Sequence, residues 1–445
     1  EVAQARQRVE QSLVVALVQA DRRLVEDVHH ADEPRADLAR EPDALRFASG
    51  ERLGAAIERQ VVEPHVDQEP QPVRDLAHEP TGDLAAPALH PQLAEIAQRL
   101  GDRQRGDLGQ RVYTSRLLGR DKTLVLHGGG NTSVKIRETN LLGDEEDILH
   151  VKGSGWDLEF IEAGGSAPVR MAHLLRLAQL PVLSDPQMVN ELRTHMTNAS
   201  APTPSVEAIL HALLPYKYVD HTHADAVVTL CNTPSGERRI RDLYGERVVV
   251  IPYIMPGFDL ARLCAEIFPN EDTGNTLGMV LMNHGIFSFG ATAREAYERM
   301  IALVGMAEDE LKARKAWTVS WPEITPPEQA LRIELASLRR SITQLIGAPV
   351  ILHGTRDAQT LGFARRTDAD TISQQGPATP DHVIRTKRVP MIGRDVAAYA
   401  EAYRQYFEAH VGESAKTMLD PAPRVLLDPE FGLCTVGRSA QEVLA

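Results

Sequence analysis

Residues 218–230 read Tyr218-Val219-Asp220-His221-Thr222-His223-Ala224-Asp225-Ala226-Val227-Val228-Thr229-Leu230. The stretch reads as a strand that opens at Tyr218 and runs on into further apolar chain. On a strand, His221 and His223 point to the same face with stems roughly 6–7 Å apart, close enough to grip one cation. Some sixty residues later, Met282-Asn283-His284-Gly285 offers a third imidazole on a strongly apolar strand. Three neutral imidazoles with one position left open form the ligand set of a catalytic divalent zinc site. A His-x-His pair alone carries little weight, because a surface strand acquires one by chance.

Working outward, strands are expected at 124–126, 133–137, 148–151, 248–254 and 279–289. Helices are expected at 171–180, 185–196, 260–267 and 293–311. Residues 205–214 place Val206, Ile209, Leu210, Leu213 and Leu214 at the spacing of one helix face. Interspersed strands and helices predict an α/β, or layered α+β, domain over 113–315. Residues 316–445 form a second, smaller α/β unit. Pro322, Pro326 and Pro327 mark its linker, helices are expected at 328–346 and 396–410, and a strand at 424–427.

Residues 1–112 differ in texture. They hold fourteen Arg, no Lys and one aromatic, Phe47, of the chain's 21. So little bulky apolar surface cannot offset the entropy of ordering, and the stretch is expected to be a poorly ordered or non-functional extension. The 445 residues carry a formal net charge of −14, which argues against a nucleic-acid partner. No run reaches the ~18 apolar residues of a membrane helix, so no membrane partner is expected. Cys231, Cys264 and Cys434 share no close-spaced motif, which excludes a disulfide scaffold and points to a reduced, cytoplasmic location.

Glu207 follows Thr203-Pro204-Ser205 at the start of the 205–214 helix. A carboxylate there can bind a metal and swing away as a general base, or simply be a solvated first-turn Glu favoured by the helix dipole. His211, one turn on, makes a Glu-x-x-x-His metal pair formally available, but is read as a packing or hydrogen-bonding residue. Two turns, Gly128-Gly129-Gly130-Asn131-Thr132-Ser133 and Gly153-Ser154-Gly155, combine bare amides with small polar side chains suited to cradling phosphate. Either could equally be a tight turn needing positive φ. Neither has the spacing of a P-loop or a dinucleotide fingerprint.

Gly-Gly-Asn-Thr-Ser, Lys-Gly-Ser-Gly, Pro-Ser-x-Glu, His-Thr-His-Ala and Asn-His-Gly, in this order between residues 113 and 311, resemble the class II aldolase/adducin family. The wording Thr-Pro-Asp-His-Val-Ile-Arg-Thr-Lys-Arg at 379–388 is similar to the bifunctional rhamnulose-1-phosphate aldolase/short-chain dehydrogenase subgroup. The resemblance implies one zinc ion per chain on His221, His223 and His284, with Glu207 as catalytic acid/base. It places Gly130, Asn131, Ser154, Gly155 and Ser205 at the substrate phosphate. Val206 stands where the family has a second Ser, so one phosphate hydroxyl is missing. Tyr244 is the candidate for the proton-donor tyrosine that the family takes from a neighbouring subunit.

The implied activity is cleavage of a phosphorylated ketose to dihydroxyacetone phosphate and a short aldehyde, in a homo-oligomer. A sugar-phosphate 4-epimerase on the same zinc and a non-catalytic adducin-like module are the alternatives. Epimerases of the family carry Asp where Glu207 stands, and the modules lose the histidines. The subgroup's dehydrogenase half carries a Tyr-x-x-x-Lys pair, and none of the nine tyrosines here has Lys four residues later. No redox activity is expected from this chain, and 423–445 is read as the approach to that missing half.

Overall fold

The computed structural model describes residues 106–317, 324, 332–412 and 416–445. The expected extension up to residue 105 and the linker prolines lie outside them. The first unit is a seven-stranded sheet made of β1 (Asn131–Thr139), β2 (Glu145–Lys152), β3 (Ser166–Arg170), β4 (Tyr218–Thr222), β5 (Val248–Ile251), β6 (Gly278–Leu281) and β7 (Gly285–Gly290). Its order is β3-β2-β1-β4-β7-β6-β5. Every pairing is antiparallel except β5 with β6.

Both faces of the sheet are covered, and β5 shows why its residues are apolar throughout. Val249 and Ile251 join a core with the helices Ala208–Leu213 and Phe258–Glu271. Val248 and Val250, pointing the other way, join a second core with Gly236–Tyr244 and Ala293–Ala313. Each large apolar side chain buried this way contributes about 1.5–3 kcal/mol. β4 lies in the middle of this sandwich with all five residues buried, so whatever it carries is held rigidly and away from bulk water.

The sequence pattern misplaces several boundaries. Residues 124–126 form no strand. The Asp121 carbonyl accepts from the amides of Leu124 and Val125, its carboxylate accepts from Thr123, and the chain turns instead of pairing. The run 279–289 is two strands, β6 and β7. They are joined by a tight turn in which Asn283 takes φ 58°, a left-handed conformation that Asn tolerates.

The first unit also begins before residue 113, with the helix Asp107–Arg120. There Arg111 and Val112 are buried, and Asp107 binds Lys217 (2.7 Å) and the Tyr218 hydroxyl (2.8 Å). In the second unit, β8 (Ile351–Thr355), β9 (Met391–Ile392), β10 (Val425–Asp428) and β11 (Gly432–Gly437) form a sheet in the order β8-β11-β10-β9. Within 423–445, β10 and β11 are strands of this sheet and Ala440–Leu444 is a helix.

Candidate active site

β4 ends at Thr222, and its register against β7 sets His221 opposite Phe287, on whose ring it stacks at 4.1 Å. His223 follows directly, and His284 comes from the β6–β7 turn. The three rings stand at 80°, 84° and 40° to one another, and their Nε2 atoms converge. His221 Nε2 lies 3.0 Å from that of His223 and 3.3 Å from that of His284.

The far nitrogens explain the orientation. His221 Nδ1 donates to the Ile286 carbonyl at 3.1 Å, and an acceptor there leaves the lone pair on Nε2. His223 Nδ1 lies 2.5 Å from Asp381 Oδ1, a second acceptor that acts the same way. Burial, and then the neighbouring His223, push the His221 pKa well below its usual value, so its lone pair is available.

Glu207 caps the helix Ala208–Leu213 and faces these rings. Oε2 is 3.6 Å from His221 Nε2, and Oε1 is 3.7 Å from His284 Nε2. Oε1 is buried with no hydrogen-bond partner. A buried, orphaned carboxylate oxygen beside three converging imidazole nitrogens fits a divalent cation.

Glu207 is itself held in place. Asn131 Nδ2 donates to Glu207 Oε2 at 2.5 Å and to Ser205 Oγ at 3.1 Å, and Ser205 Oγ also takes the Glu207 amide at 3.3 Å. Asn131 Oδ1 pairs with His211 Nε2, while His211 Nδ1 meets Ser133 Oγ at 2.8 Å. His211 is fully buried and burial drives its pKa down to about 3. It is a neutral hydrogen-bonding residue in a chain that ends on Glu207, as its position four residues along the helix allows.

The five residues expected at phosphate divide into three groups. Asn131 and Ser205 direct their side chains to Glu207, as above. Gly130 adopts φ 55°, and a Cβ there would stand 2.8 Å from the His221 carbonyl. Ser154 and Gly155 are exposed.

Tyr244 is not brought to the histidines. It is fully buried in the second core, its hydroxyl donates to the Leu303 carbonyl at 2.9 Å, and burial pushes its pKa well up. A side chain buried within its own chain cannot reach across to a neighbouring subunit. This removes it as the donor.

Four further residues lie beside the site, none of them among the site residues expected from the sequence. Arg111 and Asp220 form an ion pair (2.5 Å) that is almost completely buried, directly preceding His221. Lys152, buried, donates to the Gly128 carbonyl at 2.8 Å, and burial lowers its pKa to about 8. Asp381 comes from the second unit. Burial works to raise its carboxyl pKa, but the charge and hydrogen bond of His223, with the Leu126 amide, outweigh that and hold it below the usual carboxylate range.

Comparison with known proteins adds to this geometry. A family model described as "Class II Aldolase and Adducin N-terminal domain" matches residues 110–311, and one described as "Aldolase class II, second domain" matches 329–444. The chain is 32% identical to the "uncharacterized oxidoreductase YuxG" of Bacillus subtilis over 352 residues, covering 74% of this chain and 50% of that protein. It thus spans about half the length of this curated relative. The N-terminal class II aldolase domain of a conserved protein from Thermoplasma acidophilum is 44% identical, with 46% of this chain and 94% of that one covered at a TM-score of 0.43. The L-fuculose-1-phosphate aldolase of Thermus thermophilus is 18% identical, covering 47% and 98%, at a TM-score of 0.31.

Proposed function

The chain belongs to the class II aldolase/adducin family, and from that premise we propose that it is a zinc-dependent aldehyde-lyase acting on a phosphorylated ketose. The observation that carries this reading is the convergence of three imidazole Nε2 atoms, the pairs set by His221 at 3.0 and 3.3 Å, beside the orphaned Oε1 of Glu207. His221, His223 and His284 would hold one zinc ion per chain. When bound, the ion would supply Lewis-acid stabilisation of the negative charge that develops on the ketose during cleavage.

The remaining chemistry falls to the chain. Cleavage breaks the C3–C4 bond of a rhamnulose-1-phosphate-like substrate. The electron pair stays on C3, and the C4 hydroxyl passes its proton to solvent water as the aldehyde forms. Glu207, aimed by Asn131 and Ser205, delivers the proton that C3 acquires, and in the reverse reaction removes it. Products are dihydroxyacetone phosphate and a short aldehyde, lactaldehyde for rhamnulose-1-phosphate. The exposed turn at Ser154 and Gly155, with the Gly130 turn, holds the phosphate.

The working form is a homo-oligomer in the cytoplasm, with three buried free cysteines. Among the described residues no helix is long and apolar enough to cross a membrane. The redox activity in the name of the Bacillus relative is not carried over.

The test is to incubate the metal-loaded chain with a panel of ketose 1-phosphates and assay dihydroxyacetone phosphate. Release from at least one member supports the reading. Interconversion of epimers without cleavage, or no turnover of any member, overturns it.

A further inference from the structure

The helix Pro380–Arg385 belongs to the second unit, yet it lies against the Gly-rich turn and the histidines of the first. Asp381, 2% exposed, makes the contact. One oxygen meets His223 Nδ1 at 2.5 Å, and the other accepts from the Leu126 amide at 2.8 Å. On either side, Asn232 Nδ2 donates to the Ala378 carbonyl and Arg385 Nε to the His127 carbonyl, both at 3.2 Å.

The turn is shaped to receive this carboxylate. Gly129 has no positive φ that would demand glycine, but a Cβ added there would collide with the Asp381 carboxylate. What requires glycine at 129 is the second unit.

We propose that Asp381 is a positioning residue for the metal centre, through which the second unit completes a site otherwise built by the first. A carboxylate on Nδ1 fixes the tautomer and ring angle of His223, so that its Nε2 lone pair is presented to the cation, and raises the ring's basicity as a ligand. This gives the 379–388 segment a function beyond that of a spacer. The inference rests on reading the three histidines as metal ligands.

The experiment measures zinc affinity of the full chain by competition with a chromophoric chelator, together with the visible spectrum of the cobalt(II)-substituted protein. Losing such an outer partner typically weakens metal binding about 10–100-fold, and Asp381→Ala should do so with an altered cobalt spectrum. Asp381→Asn keeps the shape and an acceptor oxygen, so its affinity should fall between alanine and wild type. Gly129→Ala should weaken zinc binding as well. Combined with Asp381→Gly, which clears the collision, it should add little further loss, a coupling that independent sites do not show.

Wild-type zinc affinity and cobalt spectrum in Asp381→Ala overturn the proposal. If that variant does not fold, the same result in Asp381→Asn overturns it. Unchanged affinity in His221→Ala would instead overturn the metal reading beneath it, so the two failures are distinguishable.

Discussion

Among the described residues, two groups bring three candidate ligand atoms within 4.8 Å of one another: His221, His223 and His284, with Glu207 3.6 Å from His221, and His173, Glu191 and His195. In the second, the rings lie stacked at 3.2 Å and 5°. His195 Nδ1 faces the Glu191 carbonyl at 2.9 Å, and His173 Nε2 meets the Glu191 carboxylate at 2.9 Å. Parallel rings send their in-plane lone pairs along separate planes, so they share no point where an ion could sit. Side-chain exposures of 20%, 32% and 34% also let water solvate these groups. In the first cluster the rings are crossed and buried, and acceptors behind His221 and His223 turn their Nε2 atoms inward. Residue type and proximity are common to both. What differs is the angle between the rings and their burial, which decide whether the nitrogens meet at one point away from water.

The comparison can be broken most visibly at Glu207. Glu207→Gln should keep its zinc and lose about 10²–10⁴-fold in turnover, the usual cost of removing a positioned acid/base. Metal analysis and steady-state rates on the same sample check both halves. Wild-type turnover would return Glu207 to an ordinary first-turn carboxylate.

Next comes the ion pair beneath β4. Arg111→Ala leaves Asp220 buried and unpartnered, which costs about 3–5 kcal/mol and should appear as a large drop in melting temperature. An unchanged melt would show that the pair does not support the histidine strand.

A smaller effect follows from His211, whose folded pKa of about 3 lies below the 6.5 of the unfolded chain. Between these values the unfolded chain binds the extra proton, so stability is present above pH 6.5 and is lost as pH falls toward 3. From pH 7 to 5.5 this amounts to about 1 kcal/mol. Denaturant melts of His211→Gln should lack that share of the pH dependence. Parallel curves for the two proteins would contradict it.

The smallest expected change is none. His173→Ala should leave zinc content and turnover within error, since its cluster lacks the inward geometry. Loss of an equivalent of zinc would erase the distinction between the clusters.

Much of the candidate site was legible because the residues that converge there lie in short local motifs. His221 and His223 stand two apart, His284 sits in a short motif, and Glu207 follows Thr203-Pro204-Ser205. The layered fold was equally legible, since both faces of strands such as β5 are apolar. What could not be read depends on chain segments meeting in space. Asp381 lies 158 residues beyond His223, and Arg111 falls in a stretch whose composition resembles an extension, where one buried Arg leaves no trace. Tyr244 was misassigned because a tyrosine in a helix gives no sign of whether its hydroxyl faces a neighbour or, as here, the Leu303 carbonyl. The break within 279–289 rests on a single left-handed Asn283 inside an otherwise continuous apolar run.

The central claim is that the crossed, buried cluster holds the catalytic metal and the stacked one does not. Zinc titration of the metal-free chain, with X-ray absorption at the zinc edge, tests it most directly. The account predicts one tightly bound equivalent ligated by three imidazoles, abolished in His221→Ala and unchanged in His173→Ala. Tight binding that survives His221→Ala, or that disappears in His173→Ala, would contradict it.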